Sequence, residues 1–376
     1  MKRHFYPLVV ILFLSSCNNS SGKSGSEPGP SLSLSLSQSN GKVAKYLKFK
    51  PAKVNDPEST GEALTMLIPE RWNLQGKVIW TIDNSSYPAT GQLQVTDPSG
   101  QMKFEYFPLG CFYATRNAMS LRSFPYGSKY MGCLVVGEVP STANAIKKYL
   151  LPVFRKNARN LKVVEEKVLS PENRQMIAAN IYSRSETVLL RLEYMEGNVL
   201  YEENIYGIRS VTDSPGADFN TWTLANCYGF NAPKGKLKDN MKLFQTMLNS
   251  IQINKKWYAN YIQVSQVLTK QGYASIRTAG ERSKIIARAS DETNQIISDS
   301  YWKTQKANEQ VYDNYSDYQR GVDTYVDPSS NESYKLPTGY GNAWKNALGE
   351  YIVSDEPGFD PGKISNQNWT ELQLKH

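Results

Sequence analysis

The chain has 376 residues, a formal charge of +8 at neutral pH and two histidines, at positions 4 and 376. No imidazole lies between those positions, which excludes a Ser-His-Asp or Cys-His catalytic system and a His-ligated zinc or iron site. Charges of both signs are interleaved, so the mild positive excess favours solubility and does not indicate nucleic-acid binding. The chemistries that remain are those of a carboxylate pair, a Ser-Lys pair or a lone thiol. We expect a protein that is not an enzyme, with no cofactor, no metal site and no nucleic-acid partner.

The chain begins with the pattern of an export signal. Lys2 and Arg3 precede an apolar run at residues 8–14, which is shorter than the roughly 18 apolar residues that span a bilayer. The run leads into Leu14-Ser15-Ser16-Cys17, an ending that resembles the lipobox of bacterial lipoproteins. The resemblance implies that residues 1–16 are a signal peptide and that Cys17 is lipidated. Cleavage removes two basic residues and lowers the formal charge from +8 to +6. The alternative is an ordinary signal peptide with a chance cysteine.

Residues 17–43 are predicted to form a tether rich in serine and glycine, because such a segment has little apolar surface to bury. Asn18 follows the lipidated position. In bacteria with two membranes, the absence of Asp there resembles the sorting pattern of outer-membrane lipoproteins. The expected location is the bacterial cell envelope, in the outer membrane if the organism has two membranes, with the membrane as a partner through Cys17.

Three cysteines follow the lipidation position: Cys111, Cys133 and Cys227. In an oxidising compartment, Cys111 and Cys133 can close a loop of about 20 residues, which would stabilise the fold by about 3 kcal/mol. Three thiols allow three single bridges, and burial of all three as free thiols is an equal alternative. Cys227 lies on a predicted strand without an imidazole to lower its pKa, so we expect a structural role.

Residues 44–256 are expected to contain short strands and two helices. Ser141 and Thr142 are good capping residues and predict a helix at 141–157, while apolar residues at helical spacing predict an amphipathic helix at 237–251. Alternating apolar runs bounded by turn residues predict strands at 63–68, 77–82, 91–96, 102–107, 161–168, 175–182, 187–194, 199–207 and 222–230.

The order of these elements carries a second resemblance. A strand that ends at Ile68 and Pro69 and is followed by Trp72, a run of antiparallel strands, and the closing helix at 243–253 resemble the Mog1/PsbP-like sandwich. The resemblance implies an α+β fold over residues 44–256, with an antiparallel sheet packed with helices. It also implies a binding or assembly role, because members of that fold act mainly in this way.

Two further segments follow the expected sandwich. Residues 257–318 are predicted to be a helical arm, with Trp257, Tyr261, Val264 and Leu268 on one apolar stripe. Residues 319–376 read as a loop-rich aromatic tail that resembles tails of uncharacterised bacterial proteins. The groove between arm, tail and sheet is the expected ligand site, near Trp302, Tyr325, Tyr340, Trp344, Glu350 and Asp355.

The predicted function is that of a membrane-anchored extracytoplasmic lipoprotein that acts as a non-catalytic binding or envelope-assembly module. Another envelope protein or a cell-wall glycan is the expected partner. The alternative is a glycan-active hydrolase that uses tail carboxylates, Glu350 with Asp355 or Asp360, which would then face each other across a cleft at about 5–10 Å. If the tail instead binds a partner chain, cutting at about residue 319 should leave a folded sandwich.

Overall fold

The computed structural model describes residues 46–59, 61–178, 181–213, 217–271 and 322–375. These residues are mostly β, with 52% in strands and 19% in helices. The strands form two large sheets, and the helices are few and short. The expected α+β fold, with one antiparallel sheet packed with helices, is therefore wrong.

The described residues contain eighteen strands and five α-helices. The strands in chain order are β1 (Tyr46–Asp56), β2 (Gly61–Pro69), β3 (Asn73–Trp80), β4 (Ala89–Thr96), β5 (Lys103–Tyr106), β6 (Gly110–Thr115), β7 (Lys129–Tyr130), β8 (Cys133–Val136), β9 (Arg159–Ala178), β10 (Ile181–Glu196), β11 (Val199–Asp213), β12 (Phe219–Pro233), β13 (Gln252–Ile253), β14 (Val322–Val326), β15 (Ser333–Pro337), β16 (Asn342–Asn346), β17 (Tyr351–Ser354) and β18 (Trp369–Leu374). The helices are α1 (Ala118–Ser123), α2 (Thr142–Ala145), α3 (Leu151–Phe154), α4 (Leu237–Asn249) and α5 (Lys255–Gln271), with a π-helical segment at Ile146–Leu150 and a 3₁₀ turn at Pro361–Lys363.

The first sheet joins the two ends of the described chain. Its strand order is β13-β2-β1-β17-β16-β18-β14-β15, and β1 pairs antiparallel with β17 so that Phe49 lies opposite Tyr351. Residues 322–375 supply five of these eight strands. The expectation of a loop-rich tail is therefore wrong. The sequence suggested loops because the strands have only four to six residues and frequent turn residues separate them.

The second sheet is built on long antiparallel hairpins. Its main order is β3-β4-β5-β12-β11-β10-β9, and β6 pairs with β12 and, in parallel, with β8. The parallel register sets Phe112 beside Leu134, so the preceding residues Cys111 and Cys133 are neighbours. They form a disulfide with a Cα–Cα distance of 4.6 Å.

Helix α4 fills one end of the space between the two sheets. Its buried face packs against Phe230 of the second sheet and against Met66 and Ile68 of the first. The rings of Phe230 and Phe244 stack with centroids 5.1 Å apart. The apolar residues of α4 are at helical spacing, so one stripe of the helix enters the core: Leu237, Met241, Phe244, Met247 and Leu248.

The other face of the second sheet is covered by the helical stretch from α2 to α3. Ser141 caps its start by accepting a hydrogen bond from the amide of Asn144. The π-helical segment precedes Pro152, whose ring has no N–H to donate and would crowd the carbonyl four residues earlier in a regular helix. Within the described ranges, no helix is both long and apolar enough to cross a membrane.

Candidate ligand-binding site

The tail aromatics predicted to line a groove between arm, tail and sheet are instead buried: Tyr325, Tyr340 and Trp344. Tyr325 is 0% exposed, and its hydroxyl donates to the carbonyl of Tyr340 over 2.8 Å. Trp344 is 8% exposed and packs against Phe359, with ring centroids 5.4 Å apart. Trp302 and Cys17 lie outside the described residues.

The two predicted tail carboxylates occupy different environments. Glu350 is half-buried, with Oε1 3.2 Å from the ammonium of Lys48 and Oε2 accepting a hydrogen bond from Asn346 over 2.8 Å. Asp355 is exposed. Glu350 thus helps to fasten the turn between β16 and β17 to β1, and neither carboxylate lines the cavities described below.

Among the described residues, only a backbone group of Ile208 favours the thiolate of the buried Cys227. It is 1% exposed, and burial raises its pKa to about 12. A thiol with that pKa stays protonated near neutral pH, whereas the thiolate is the nucleophilic form. No group of three or more His, Cys, Asp or Glu side chains in the described ranges is placed to hold a metal ion.

A cavity of about 310 Å³ lies between the two sheets, next to α5. Strands β1, β2 and β13 of the first sheet, strands β3, β4, β5, β11 and β12 of the second, and α5 all contribute to its wall. Val54 and Leu93 belong both to the hydrophobic core around α4 and to this wall. The cavity therefore continues the space between the sheets, and α5 supplies part of its wall.

A buried carboxylate holds α5 in this position. Asp56 at the end of β1 is 1% exposed, and its Oδ2 accepts hydrogen bonds from the indole nitrogens of Trp80, at 2.9 Å, and Trp257, at 2.8 Å. Its Oδ1 accepts from the amide of Glu58 at 3.1 Å. These bonds link β1, β3 and α5 through one side chain.

The next turns of α5 are tied to the loop between β3 and β4. The hydroxyl of Ser265 donates to the carbonyl of Ser85 over 2.7 Å, and that of Tyr261 donates to the carbonyl of Ser86 over 3.3 Å. Burial raises the pKa of Tyr261 well above its ordinary value, so the hydroxyl remains a donor. The helix is thus attached along three of its turns.

One wall of the cavity is aromatic and apolar. Trp257, Tyr258 and Tyr261 line it from α5, and the rings of Trp257 and Tyr261 stack with centroids 5.8 Å apart. Val54 and Leu64 of the first sheet continue this wall. Such a surface favours contact with an apolar ligand, because burial of that surface removes it from water.

The wall formed by β11 and β12 carries polar side chains. Ser210 and Thr223 lie directly opposite each other in the two strands, and Asn226 follows on β12. Burial raises the pKa of Tyr87, and a hydrogen bond with Thr223 partly offsets that rise. Lys77, which is exposed, is the one charged residue among the described residues that line the cavity.

A larger cavity of about 740 Å³ lies beside β9, β10 and the start of α4, but most of the charged residues at its wall have protein partners. Arg191 is 2.8 Å from Glu165, and Lys234 is 2.9 Å from Glu193. Glu202 accepts hydrogen bonds from the amides of Gly235 and Leu237, at the start of α4. These groups stabilise the protein itself, so this larger volume is a weaker candidate for a ligand site.

A buried ionic cluster next to that cavity is also self-contained. The guanidinium of Arg155 bonds both Glu105 and Glu203, with Nε 2.7 Å from Oε2 of Glu203. Desolvation by burial raises the pKa of Glu105, and the charge of Arg155 opposes that rise. The cluster ties the end of α3 to the second sheet, which is a structural role.

No protein-family model and no curated protein matches this chain. The class is therefore defined by its own structure: a two-sheet β protein with an apolar cavity between the sheets and a helix in the cavity wall. This site was not predicted from the sequence, because its wall is supplied by eight strands and one helix that lie far apart along the chain. The aromatic start of the arm at Trp257 and Tyr261 was the one signal that pointed to it.

Proposed function

We propose that this protein is a lipid-anchored extracytoplasmic binding module that holds a small apolar ligand in the cavity between its sheets. The observation that carries the proposal is the cavity of about 310 Å³ beneath α5. Its volume lies in the range of small-molecule sites, and its wall combines apolar side chains with a few polar groups, as ligand sites do.

The anchor and the cavity are consistent with one role. The lipobox-like ending at Cys17 would tie the mature chain to a membrane, and the tether at residues 17–43 would let the folded body approach that surface. Apolar molecules partition into the lipid phase, so an anchored module would work where its ligand is concentrated. Another envelope protein or a cell-wall glycan is the partner we propose beyond the membrane itself.

The cavity offers a substitution that fills it without disturbing its rim. Gly91 of β4 lines the cavity, and a Cβ atom added there meets no atom within 4 Å. Leu93, two residues further on the same face of β4, points into the space between the sheets. A leucine at position 91 should therefore occupy volume that the ligand needs.

We expect Gly91→Leu to weaken binding of the neutral fluorescent probe N-phenyl-1-naphthylamine by about tenfold or more, equivalent to about 1.4 kcal/mol. The probe is titrated into the mature chain, residues 17–376, carrying Cys17→Ser so that no detergent is required. Gly341→Leu is the matched control, because Gly341 is exposed and equally open but lies in the loop before β16. Equal affinities in the two variants, or no saturable binding by the parent chain, would exclude the cavity as the ligand site.

A further inference from the structure

We infer that the ligand is an uncharged amphipathic molecule, with an apolar body and one hydrogen-bonding end group such as a hydroxyl or carbonyl, and that Ser210 and Asn226 recognise this end group. The inference rests on the proposed function, because it concerns the same cavity. It adds the orientation of the ligand and its chemical class.

The two walls of the cavity differ in chemistry, which gives a bound molecule a direction. The α5 side presents the aromatic rings of Trp257, Tyr258 and Tyr261, while the β11–β12 side presents hydroxyl and amide groups. An amphipathic molecule satisfies both walls when its apolar body lies against α5 and its polar end lies against the strands.

Ser210 supplies a polar group that the protein leaves without a partner. The residue is 8% exposed, and its Oγ makes no hydrogen bond to any described residue. Buried hydroxyl groups in folded proteins nearly always have a hydrogen-bond partner, because burial without one is destabilising. A partner supplied by a ligand in the adjoining cavity would remove this cost.

Asn226 is held in an uncommon backbone conformation beside the same wall. Its φ angle is +46°, in the left-handed region, where the register between β11 and β12 shifts. Its Oδ1 accepts a hydrogen bond from Tyr106 over 2.9 Å, which leaves the amide nitrogen as the donor available on this side chain. Bulges of this type redirect side chains and are enriched next to functional sites.

The charge of the wall argues against a charged end group. No acid is present among the described residues that line the cavity, so a cationic ligand would be desolvated without a counter-charge. The cation at Lys77 is exposed and stays in water, so it gives a buried carboxylate little compensation. The neutral form of the end group is therefore favoured over both ions.

The inference is tested by displacement of N-phenyl-1-naphthylamine from the mature chain carrying Cys17→Ser. The competitors are 1-decanol, decanoate and decylammonium, which share one chain length and differ in the end group. We expect 1-decanol to displace the probe best and decylammonium worst, with half-displacement concentrations at least about tenfold apart. Equal displacement by all three would overturn the inference and leave the cavity intact as a binding site.

Variants at the polar wall test the two residues directly. Ser210→Ala and Asn226→Asp should each raise the half-displacement concentration of 1-decanol by about fivefold. Because Asn226→Asp introduces an acid, it should also lower the half-displacement concentration of decylammonium. Ser128→Ala is the matched control, because Ser128 Oγ also has no partner among the described residues but lies away from the cavity. Retained affinity for the probe shows that each variant is folded. Unchanged 1-decanol displacement in both wall variants would refute the assigned residues, whereas loss of probe binding in the parent chain would refute the proposed function.

Discussion

Asp56 illustrates how one residue sets the geometry of the candidate site. Its carboxylate is almost fully buried, yet it is matched by three donors from two tryptophans and one amide. A buried carboxylate is tolerated only with such compensation. Trp257 is 201 residues away in sequence, so the bond joins two distant parts of the described chain.

We predict that Asp56→Ala lowers the free energy of unfolding by about 2–4 kcal/mol, because the half-buried indole N–H groups of Trp80 and Trp257 lose the carboxylate that accepts from them. The same variant should weaken N-phenyl-1-naphthylamine binding, since α5 loses its attachment to β1. Urea denaturation followed by circular dichroism measures the first effect. Asp355→Ala removes an exposed acid and should change the free energy by less than about 0.5 kcal/mol. Equal effects of the two substitutions would contradict the role assigned to Asp56.

The second residue-scale prediction concerns Cys17. If Cys17 carries the lipid, cells expressing the full chain should incorporate labelled palmitate into it, and Cys17→Ser should abolish the label. Cys227→Ala is the control, because Cys227 is buried and its substitution should leave labelling unchanged. Label that persists in Cys17→Ser, or is absent from the parent chain, would rule out the anchor and with it the membrane-linked role.

At the scale of elements, the sequence predicts those parts whose apolar pattern is long and regular. The amphipathic stripe at 237–251 predicts α4, which spans Leu237–Asn249, and the capping residues predict the start of the helical stretch that follows Ser141. The predicted strand at 187–194 lies within β10, and that at 222–230 lies within β12. Each of these patterns extends over more than one full period, so the local signal is strong.

The sequence pattern predicts an element less well when the element is very short, or when it extends beyond its apolar residues. The strands of residues 322–375 carry four to six residues each, too few for a period to stand out among turn residues. Conversely, β9 extends over Arg159–Ala178, and polar residues in its middle caused the prediction of two separate strands. Pairing with β10 sustains the extended conformation there, which is a tertiary effect.

The cavity could not be predicted from the sequence for a related reason. Its wall includes residues from Val54 to Tyr261, and no local spacing connects them. The predicted tail residues Tyr325 and Tyr340, by contrast, belong to a hydrophobic cluster with Phe49 of β1. Large aromatic residues in a pattern of turns therefore indicated burial and not a ligand site.

At the scale of the whole molecule, the first sheet makes the two ends of the described chain interdependent. Strand β17 pairs with β1, and Tyr351 and Val353 bury Phe49 in a shared cluster. Lys242 of α4 also donates to the carbonyl of Thr338 over 3.0 Å, which ties the C-terminal strands to the helix between the sheets. The C-terminal strands are therefore part of the core.

We predict that a chain ending at residue 321 aggregates or unfolds at a lower temperature than the parent chain, because it leaves an open edge on β1 and exposes the apolar side of Phe49. Thermal unfolding and size-exclusion chromatography measure these effects. A truncated chain that stays monomeric with an unchanged unfolding midpoint would contradict this account. That outcome would instead support the hypothesis of a tail that binds a partner chain.

The position of a bound apolar ligand would show directly whether the cavity is the binding site. Crystals of the mature chain carrying Cys17→Ser, grown with 10-bromo-1-decanol, would locate the bromine by its anomalous scattering. We predict a bromine peak between α5 and β4, with the hydroxyl end towards Ser210 and Asn226. Bromine found only outside the space between the sheets, with the cavity free of ligand density, would contradict it.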